Sequence, residues 1–524
     1  MRSAKIKLQV DPHLSSLPTW SNPVVPGDHP DPTILRVGRT FWASATSGEW
    51  SPQFPLFRST DLLHWEPAGA IFRHQPTWAE GSFWAPELVH DELSGKFIVW
   101  YVARKHGGNL CIAVASATSP AGPYLDHGPV VCELVGSIDP CFARDEYGEP
   151  YLIWKEDGNS QGLPTPIWAQ ALTEDLLELR GEKTLLIIND QPWEEGVVEG
   201  PYILRHEGRF YMFYAGNSCC GKECKYAEGV ARADKLLGPW EKFPGNPMIA
   251  ANDSWRCPGH GTAVRTSGSK DKPAQDYLLY HAYPAGGSIY VGREAVLDEI
   301  TWTPHEQDGR PGWPVVNAGR GPGKVGPTTL IDFVDHFKER HLGYSWQWPV
   351  NTEPEVTISN GSLTIAIPLA SPLSERPVES AMLAVPRPAS CHFHATVTIV
   401  ADAARHRQLW AGLSLVGDPF NTVGLGLRGE MLVLWERRGN TQRVIAETRA
   451  PEAEEIWIRS ATIGSRHELQ FSFSVDGVRF EDFGAAYDAS DLPAWDRGLR
   501  IGLMLEGPQG SSATFRNFEL RAQA

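Results

Sequence analysis

Short hydrophobic runs rich in aromatic residues recur through the first half of the chain, and each run follows a turn that carries Gly or Asp. The five copies are Gly38-Arg39-Thr40-Phe41-Trp42, Gly95-Lys96-Phe97-Ile98-Val99-Trp100-Tyr101, Gly148-Glu149-Pro150-Tyr151-Leu152-Ile153-Trp154, Gly208-Arg209-Phe210-Tyr211-Met212-Phe213-Tyr214 and Asp276-Tyr277-Leu278-Leu279-Tyr280. A second phrase, a small-residue strand that leads to Ser or Asp and an aromatic-ended turn, spans 57–65, 115–124 and 231–240. Such repeats are typical of propeller blades, which are stable only when stacked on their neighbours. The pattern predicts a five-bladed β-propeller over residues 22–316.

The hydrophobic pattern changes after a Gly/Pro-rich segment at residues 317–328, which cannot hold a helix or a ladder strand and is predicted to be a linker. Apolar and polar positions then alternate with period two, as in antiparallel strands. The clearest runs are 363–367, 394–400, 431–435, 468–475 and 514–520. With Asp-Gly and Asn-Gly turns beside them, residues 329–524 are predicted to form an antiparallel β-sandwich. The predicted fold class is all-β, a five-bladed β-propeller followed by a β-sandwich, with no helix of consequence.

Composition agrees with two all-β domains and narrows the kind of ligand. The chain has 524 residues with 50 glycines and 42 prolines, which is too long for one ordinary domain and favours short strands over long helices. Its formal net charge of −16 argues against nucleic acid, because phosphates need a basic surface. Most of the 20 tryptophans are expected in the core, but flat aromatic faces also stack on sugar rings. A neutral ligand such as a sugar is the easier partner.

The amino-terminal residues 1–10 carry positive charge without an apolar run after them, and no run elsewhere is long enough to span a bilayer. These features predict a cytoplasmic protein without a membrane partner. Seven of the eight cysteines lie before residue 260 at irregular spacing, which is not expected of a secreted disulfide framework.

Three acidic residues stand at the entrance to predicted strands. Asp31 lies in His29-Pro30-Asp31-Pro32, where a proline on each side stiffens the loop. Asp139 lies in Ser137-Ile138-Asp139-Pro140, and Glu199 lies in Val198-Glu199-Gly200-Pro201. An acid beside a proline is a common turn residue, so each motif alone is weak. We expect the three acids to open successive blades, so that they meet in the central channel.

Three converging carboxylates suit glycoside hydrolysis with inversion. That reaction needs an acid that protonates the departing oxygen and a carboxylate that deprotonates water, roughly 6.5–9.5 Å apart. The two pKa values must differ, and a third carboxylate beside the acid can raise its pKa because like charges disfavour a second ionisation.

In these three motifs together the chain resembles glycoside hydrolase family 43. Its members carry an Asp in a His/Tyr-Pro-Asp-Pro stretch, an Asp in an Ile-Asp-Pro stretch and a Glu in a Glu-Gly-Pro stretch, which match Asp31, Asp139 and Glu199. The resemblance covers residues 22–316. It implies that Asp31 is the general base, that Asp139 raises the pKa of the acid and orients it, and that Glu199 is the general acid. Sister families that split fructosides have an asparagine where His29 stands, so they fit less well.

The resemblance implies further contacts with the substrate. In Trp84-Ala85-Pro86-Glu87 the tryptophan resembles a wall of the sugar pocket, and Glu87 and His29 are assigned to substrate binding with it; Trp84 could instead be blade core. Arg293 matches an arginine that reaches the sugar hydroxyls and the catalytic carboxylates. His260, between two glycines, matches a histidine that in many members binds a calcium ion on the propeller axis, and a satisfied core histidine is the alternative. Calcium prefers oxygen ligands, so water would supply most of them. No organic cofactor is expected.

Cys219, Cys220 and Cys224 depart from the family pattern. With Cys257 they could bind zinc, but they lack a CxxC pair, so a disulfide at the pocket rim or free thiols fit better. The C-terminal part resembles the concanavalin-A-like sandwich of xylosidase- and arabinofuranosidase-type members. In some of those a loop of the sandwich closes the pocket, and here a separate carbohydrate-binding role remains open.

Taken with the resemblance, the sequence predicts an exo-acting, inverting glycosidase. Its substrates would be oligosaccharides from hemicellulose with terminal α-L-arabinofuranosyl or β-D-xylosyl units. The alternatives are a sugar-binding propeller without catalysis and an endo-arabinanase of the same fold.

Overall fold

The computed structural model describes residues 20–268, 273–286, 291–326, 332–369, 380–386, 392–401, 408–464 and 467–523. Residues 1–19, which include the amino-terminal residues used to predict a cytoplasmic location, lie outside this set, as does Cys391. Nearly all regular structure is β. The short 3-10 helices among the described residues span Asn159–Gln161, Pro192–Glu194 and Asn317–Gly319. Within this part of the chain, no helix has the length and hydropathy that a membrane span requires.

Five four-stranded antiparallel sheets form the first domain. The strands of the first are β1 Thr33–Val37, β2 Thr40–Ser44, β4 Gln53–Ser59 and β5 Glu66–Phe72, with the short β3 Trp50–Ser51 outside it. The second contains β6 Ala79–Asp91, β7 Lys96–Lys105, β8 Leu110–Ala117 and β9 Leu125–Val131. The third contains β10 Ser137–Arg144, β11 Pro150–Glu156, β12 Ile167–Leu172 and β13 Leu179–Ile187. The fourth contains β14 Val198–His206, β15 Arg209–Gly216, β16 Ala227–Ala233 and β17 Glu241–Lys242. The fifth contains β18 Trp255–Arg265, β19 Asp276–Pro284, β20 Glu294–Trp302 and β21 Pro314–Val316.

The predicted five-bladed propeller is confirmed, and the repeated aromatic runs are the second strand of each blade, β2, β7, β11, β15 and β19. These strands are apolar on both faces because a cluster of buried side chains fills each gap between neighbouring blades. In β7, for example, Val99 and Tyr101 pack toward the first blade, and Ile98 and Trp100 pack toward the third. Successive side chains of a strand point to opposite faces, so one run serves two interfaces.

The ring closes where the segment before β1 meets the last blade. The backbone N–H of Val24 donates to the carbonyl of Ala295 in β20 (3.0 Å), and the indole N–H of Trp20 donates to the carbonyl of Leu297 (3.0 Å). The described part of the predicted linker also packs here: the N–H of Asn22 donates to the carbonyl of Lys324 (2.9 Å). Its first residues form a 3-10 turn at Asn317–Gly319, which the sequence analysis did not predict. This segment is therefore held against the propeller by hydrogen bonds.

Two antiparallel sheets face each other in the second domain. One contains β22 Phe333–Asp335, β24 Glu355–Ser359, β25 Ser362–Ala366, β27 His392–Val400, β32 Glu455–Ile463, β33 Glu468–Ser474, β34 Glu481–Asp488 and β36 Ser512–Gln523. The other contains β26 Ser380–Pro386, β28 Trp410–Asp418, β29 Asn421–Arg428, β30 Met431–Arg438, β31 Thr441–Arg449 and β35 Arg500–Glu506. One large cluster of buried side chains joins the sheets. The predicted sandwich and its predicted strands are confirmed.

The two domains share strand pairing and a buried ion pair. The short β23, Trp348–Pro349, from the start of the sandwich pairs with β3 of the propeller. A guanidinium N–H of Arg500 in β35 donates to a carboxylate oxygen of Asp28 at 3.1 Å, and both side chains are buried. The two residues lie on opposite domains, so this contact fixes the sandwich against the mouth of the propeller.

Six of the eight cysteines form disulfides: Cys111–Cys132, Cys219–Cys220 and Cys224–Cys257. The expectation that the irregular spacing would not support a disulfide framework is therefore wrong. Two of the bonds join cysteines 21 and 33 residues apart that meet across strands and loops, and the third joins adjacent residues. The disulfides also rule out the zinc hypothesis for Cys219, Cys220, Cys224 and Cys257, because a sulfur atom in a disulfide cannot supply a thiolate ligand.

Candidate active site

Each blade contributes an irregular backbone position where its chain meets the propeller axis. Asp31, Ala85, Asp139, Gly200 and His260 all have positive φ, between 42° and 57°. The last four lie in the innermost strands of blades two to five, where the pairing register shifts, and Asp31 precedes the innermost strand of the first. A bulge re-aims side chains, and a non-glycine residue with positive φ costs free energy, which is characteristic of functional sites. The five blades thus present side chains to one central place.

A pocket of about 1170 Å³ opens at this end of the axis. Six of the residues singled out in the sequence line it: Asp31, Trp84, Asp139, Glu199, His260 and Arg293. The three acids open the first, third and fourth blades, so the expectation of successive blades is wrong. The second blade supplies Trp84 and the fifth supplies His260 and Arg293 instead.

Asp31 is held from three directions. The hydroxyl of Thr46 donates to Oδ2 (2.7 Å), and a guanidinium N–H of Arg293 donates to Oδ1 (3.3 Å). The backbone N–H of Asp31 donates to Nδ1 of His281 (3.0 Å). Burial, and then the charge of Arg293, hold the pKa of His281 well below its ordinary value, so its imidazole is neutral and can accept this bond. Thr46 accepts in turn from the N–H of Ala85 (2.7 Å). The carboxylate is therefore fixed in place.

Asp139 lies deeper and faces the other charged groups of the site. The N–H of Gly200 donates to its Oδ2 (2.9 Å). Nδ1 of His260 lies 3.9 Å from its Oδ1 and 3.5 Å from Oδ1 of Asp31, so this imidazole stands between the two aspartates. Burial raises the pKa of Asp139 to about 6; the charge of Glu199 acts in the same direction and His260 opposes it.

Glu199 carries the strongest contacts of the three acids. Its Oε2 accepts from the ammonium of Lys155 (2.6 Å), and its Oε1 accepts from the hydroxyl of Tyr226 (2.8 Å). Burial alone would raise the pKa of Glu199, but the ammonium and the two hydrogen bonds outweigh it and hold the pKa below the ordinary value. The resemblance to the family implied a raised pKa at this residue. The difference comes from Lys155, which no motif identified.

Glycine at position 200 is required by the close packing of the site. A Cβ there would lie 2.8 Å from Cγ of His260, closer than two carbon atoms approach. The backbone also has φ of 57°, which favours glycine. Glu199 and His260 can therefore occupy neighbouring strands at this distance only because no side chain separates them.

Two residues assigned to substrate binding lie away from the pocket lining. His29 packs edge-on against Phe57 with ring centroids 4.9 Å apart, and burial lowers its pKa to about 4. Glu87 accepts a hydrogen bond from the hydroxyl of Thr33 (3.1 Å), and burial raises its pKa to about 8. Neither side chain lines the pocket, so the geometry gives no support to direct contact with substrate.

The calcium ion remains a prediction. Within the described ranges, no group of three or more His, Cys, Asp and Glu side chains is arranged to hold a metal. The Nδ1 atom of His260 faces the two aspartates. The prediction that no organic cofactor is needed likewise remains untested.

The sandwich contributes to the pocket, a question that the sequence left open. Trp495 and Asp496, in the loop before β35, line it. A guanidinium N–H of Arg293 donates to the carbonyl of Asp496 (3.1 Å), so the arginine that holds Asp31 also fixes this loop. Cys219 and Cys220 line the pocket from the propeller. The site is thus built from both domains.

Several residues of the site carried no sequence signal. Lys155, Tyr226, Thr46 and His281 lie in strands or turns without a recognisable motif, and they act by contact with residues distant in sequence. Lys155 stands at the end of the apolar run of β11, directly before Glu156, where a charged residue is ordinary, so nothing in its neighbourhood marked it as a buried residue.

Family models match both domains of the chain. The family model "Glycosyl hydrolases family 43" matches residues 20–311, and "Beta xylosidase C-terminal Concanavalin A-like domain" matches residues 334–521. A xylosidase/arabinosidase from Butyrivibrio fibrisolvens is 28% identical over 319 residues, which cover 57% of this chain and 57% of that protein. An extracellular exo-α-(1→5)-L-arabinofuranosidase from Cellvibrio japonicus is 26% identical over 320 residues, covering 55% of this chain and 86% of that protein.

Among solved structures, a mutant of a family 43 protein from Bacillus licheniformis has a TM-score of 0.78 and 22% sequence identity. The superposition covers 96% of this chain and 100% of that one. At this identity the likeness concerns the fold, and it includes both domains.

Proposed function

The chain belongs to glycosyl hydrolases family 43, and from this premise we propose that it is a glycosidase of the xylosidase/arabinosidase type, as its relatives are named, and that it is exo-acting and inverting. Its substrates would be hemicellulose oligosaccharides that end in α-L-arabinofuranosyl or β-D-xylosyl units. The observation that carries the proposal is the convergence of Asp31, Asp139 and Glu199 in one pocket, together with Arg293 and Trp84.

In this mechanism Asp31 is the general base. Arg293 and Thr46 hold its carboxylate in place, where it can accept a proton from water as the water attacks the anomeric carbon. Arg293 donates from the same side and is placed to bind a sugar hydroxyl as well.

Glu199 would be the general acid that protonates the departing glycosidic oxygen. In the free enzyme its carboxylate is paired with Lys155, and a bound sugar that excludes water from the pocket would raise its pKa toward the protonated form. Asp139, whose pKa of about 6 lies above the ordinary value, accepts the N–H of the residue that follows Glu199 and so orients the acid.

Exo action is supported by the position of the sandwich loop. Trp495 and Asp496 border the pocket on the side of the second domain. An endo-acting enzyme needs an open cleft through which a long substrate chain can continue past the site, and the loop occupies this side of the pocket. The Cellvibrio japonicus relative is named as an exo-acting arabinofuranosidase. The cytoplasmic location remains a prediction beside this proposal.

The test is a turnover assay with p-nitrophenyl α-L-arabinofuranoside and β-D-xyloside, followed by product analysis on arabino- and xylo-oligosaccharides. We expect single arabinose or xylose units from the chain ends, and NMR during the first turnovers should show inverted anomeric configuration. Release of longer fragments would contradict exo action, and binding without any release would contradict the hydrolase assignment.

A further inference from the structure

The segment 217–226 joins β15 to β16 and forms one wall of the pocket through Cys219, Cys220, Glu223 and Lys225. A hydrogen bond and packing contacts hold this segment against its surroundings. The N–H of Gly221 donates to the hydroxyl of Tyr283 (3.3 Å), and the side chains of Cys219 and Cys224 pack against a buried cluster that includes Tyr283 and Tyr226.

A disulfide connects this segment to the fifth blade. Cys224 is bonded to Cys257 in β18, so the bond bridges the fourth and fifth blades. Cys224 stands two residues before Tyr226, and Cys257 stands three residues before His260. Tyr226 donates to Glu199, and His260 lies beside Asp31 and Asp139. One covalent bond therefore joins the two chain segments that contact all three acids.

The ring of Tyr226 is closely packed beside the segments that this disulfide joins. It is parallel to the imidazole of His281, with centroids 5.6 Å apart and an interplanar angle of 7°. At Gly259, between Cys257 and His260, a Cβ would lie 2.5 Å from Cδ1 of Tyr226. The ring thus lies directly against the backbone of β18, and the relative position of the two segments decides where its hydroxyl points.

We propose that Tyr226 is a positioning residue for the general acid Glu199 and that the Cys224–Cys257 disulfide holds Tyr226 in that role. This proposal rests on the function proposed above. Tyr226 is 2% exposed and does not line the pocket, so it acts on substrate only through Glu199.

The charged and titratable groups that face Glu199 are Lys155 from β11, Asp139 from β10, His260 from β18 and Tyr226. Because the tyrosine hydroxyl donates to the carboxylate, it stabilises the ionised form. A general acid must be protonated, so activity falls as pH rises through its pKa. Loss of the hydrogen bond raises that pKa and moves the alkaline limb of the pH–rate profile to higher pH, by about one pH unit.

The experiment is a double-mutant cycle with C224A/C257A, Tyr226→Phe and the combined variant. We expect C224A/C257A and Tyr226→Phe each to lower kcat about tenfold with a smaller change in KM. Each should also move the alkaline limb of the kcat/KM profile to higher pH by about one pH unit. The combined variant should show no further shift, because the disulfide acts through the tyrosine. The control is C111A/C132A, which removes a disulfide whose cysteines do not line the pocket; its alkaline limb should stay in place even if its melting temperature falls.

The proposal is overturned if C224A/C257A keeps the wild-type alkaline limb while Tyr226→Phe shifts it, or if the two shifts add. Should C224A/C257A fail to fold, the comparison is made on C111A/C132A/C219A/C220A, in which Cys224–Cys257 is the remaining disulfide among the described residues. Dithiothreitol breaks its sulfur–sulfur bond by giving up two electrons and two protons and becoming a cyclic disulfide, which leaves two thiols on the protein. Reduction should move the alkaline limb upward, and an unmoved limb would again overturn the proposal.

Failure of the proposed function would look different. If Glu199 is not the acid, Glu199→Gln keeps its activity on natural oligosaccharides. If only the positioning role fails, Glu199→Gln is inactive on them while the disulfide variant has the pH profile of the wild type.

Discussion

The ammonium of Lys155 lies 2.6 Å from Oε2 of Glu199, and both side chains are buried in the pocket wall. The same ammonium donates to Asp157 and Asn159, each at 2.9 Å, so its three protons are all used. Such a lysine beside Glu199, the proposed general acid, keeps the carboxylate ionised in the free protein. Protonation of Glu199 therefore depends on what enters the pocket.

Replacing Glu199 by Gln removes the proton donor and keeps the shape of the side chain. We expect kcat on natural oligosaccharides to fall about 10²- to 10⁴-fold, because a sugar leaving group needs protonation. p-Nitrophenyl glycosides should lose much less, since nitrophenolate departs without help. The exposed Glu178→Gln is the control, and equal losses on both substrate types would contradict the role of Glu199 as acid.

Replacing Lys155 by Met removes the charge that lowers the pKa of Glu199. The alkaline limb of kcat/KM should move to higher pH, because the acid then stays protonated at higher pH. Lys155→Arg retains the positive charge and should shift the limb less. The measurement is kcat/KM against pH, and an unmoved limb in Lys155→Met would show that the ammonium does not set the pKa of the acid.

Replacing Trp495 tests whether the sandwich domain takes part in substrate binding. It lines the pocket although its side chain is 63% exposed, so Trp495→Ala removes an apolar face from the mouth without disturbing a core. KM should rise several-fold with a smaller change in kcat, since aromatic stacking on a sugar contributes about 1 kcal/mol. Tyr344→Ala, at a comparably exposed aromatic residue outside this pocket, provides the control. An unchanged KM in Trp495→Ala would remove the loop from the binding site.

The Asp28–Arg500 pair tests how firmly the domains are joined. Arg500→Met leaves the buried carboxylate of Asp28 without its partner, and the free energy of unfolding should fall by about 3–5 kcal/mol. Lys222→Met breaks a second ion pair between the domains, Lys222–Asp491, whose two side chains are 55% and 77% exposed, and should cost less than about 1 kcal/mol. Urea unfolding measures both, and equal losses would contradict the role of burial.

Glu87 gives a pH dependence of stability with a defined sign. Burial raises its pKa from 4.5 to about 8 in the folded chain, so the folded state binds a proton that the unfolded state has released. Its contribution to stability is complete below about pH 4.5 and is lost as pH rises through about 8. Glu87→Gln imitates the neutral acid, so it should flatten this part of the profile and stabilise the protein above pH 8 by a few kcal/mol, on the order set by the pKa shift. Unfolding free energies from pH 4 to 9 test this, and an unchanged slope would contradict it.

Much of the fold follows from local pattern. The five aromatic runs become the second strands of five blades because each must bury both faces between neighbours, and that requirement is visible in the residues themselves. The period-two runs of the second half become sandwich strands for a similar reason. Asp31, Asp139 and Glu199 were identifiable because short motifs place an acid at a strand entrance, and the pocket brings the three together.

The failures have a common physical origin. His29 and Glu87 belong to the same motifs as residues that line the pocket, but neither of them lines it. Packing in the folded chain places the ring of His29 against Phe57 and the carboxyl group of Glu87 at the hydroxyl of Thr33. Cys111 and Cys132 pair within the second blade, and Cys224 and Cys257 pair between the fourth and fifth blades, because folding brings each pair within bonding distance. Neither the placement of these two side chains nor the pairing of these cysteines can be read from spacing along the chain.

The sequence alone determined the architecture and the three acids, because hydrophobic period and turn chemistry act over a few residues and are written in consecutive positions. The tertiary structure decided the state of those acids. Lys155 comes from the third blade, Tyr226 from the fourth, His281 and Arg293 from the fifth, and Trp495 from the other domain. Their contacts therefore exist only after the ring and the sandwich have closed. Electrostatic interactions depend on distances in space within a water-poor pocket, and no property of neighbouring residues fixes those distances.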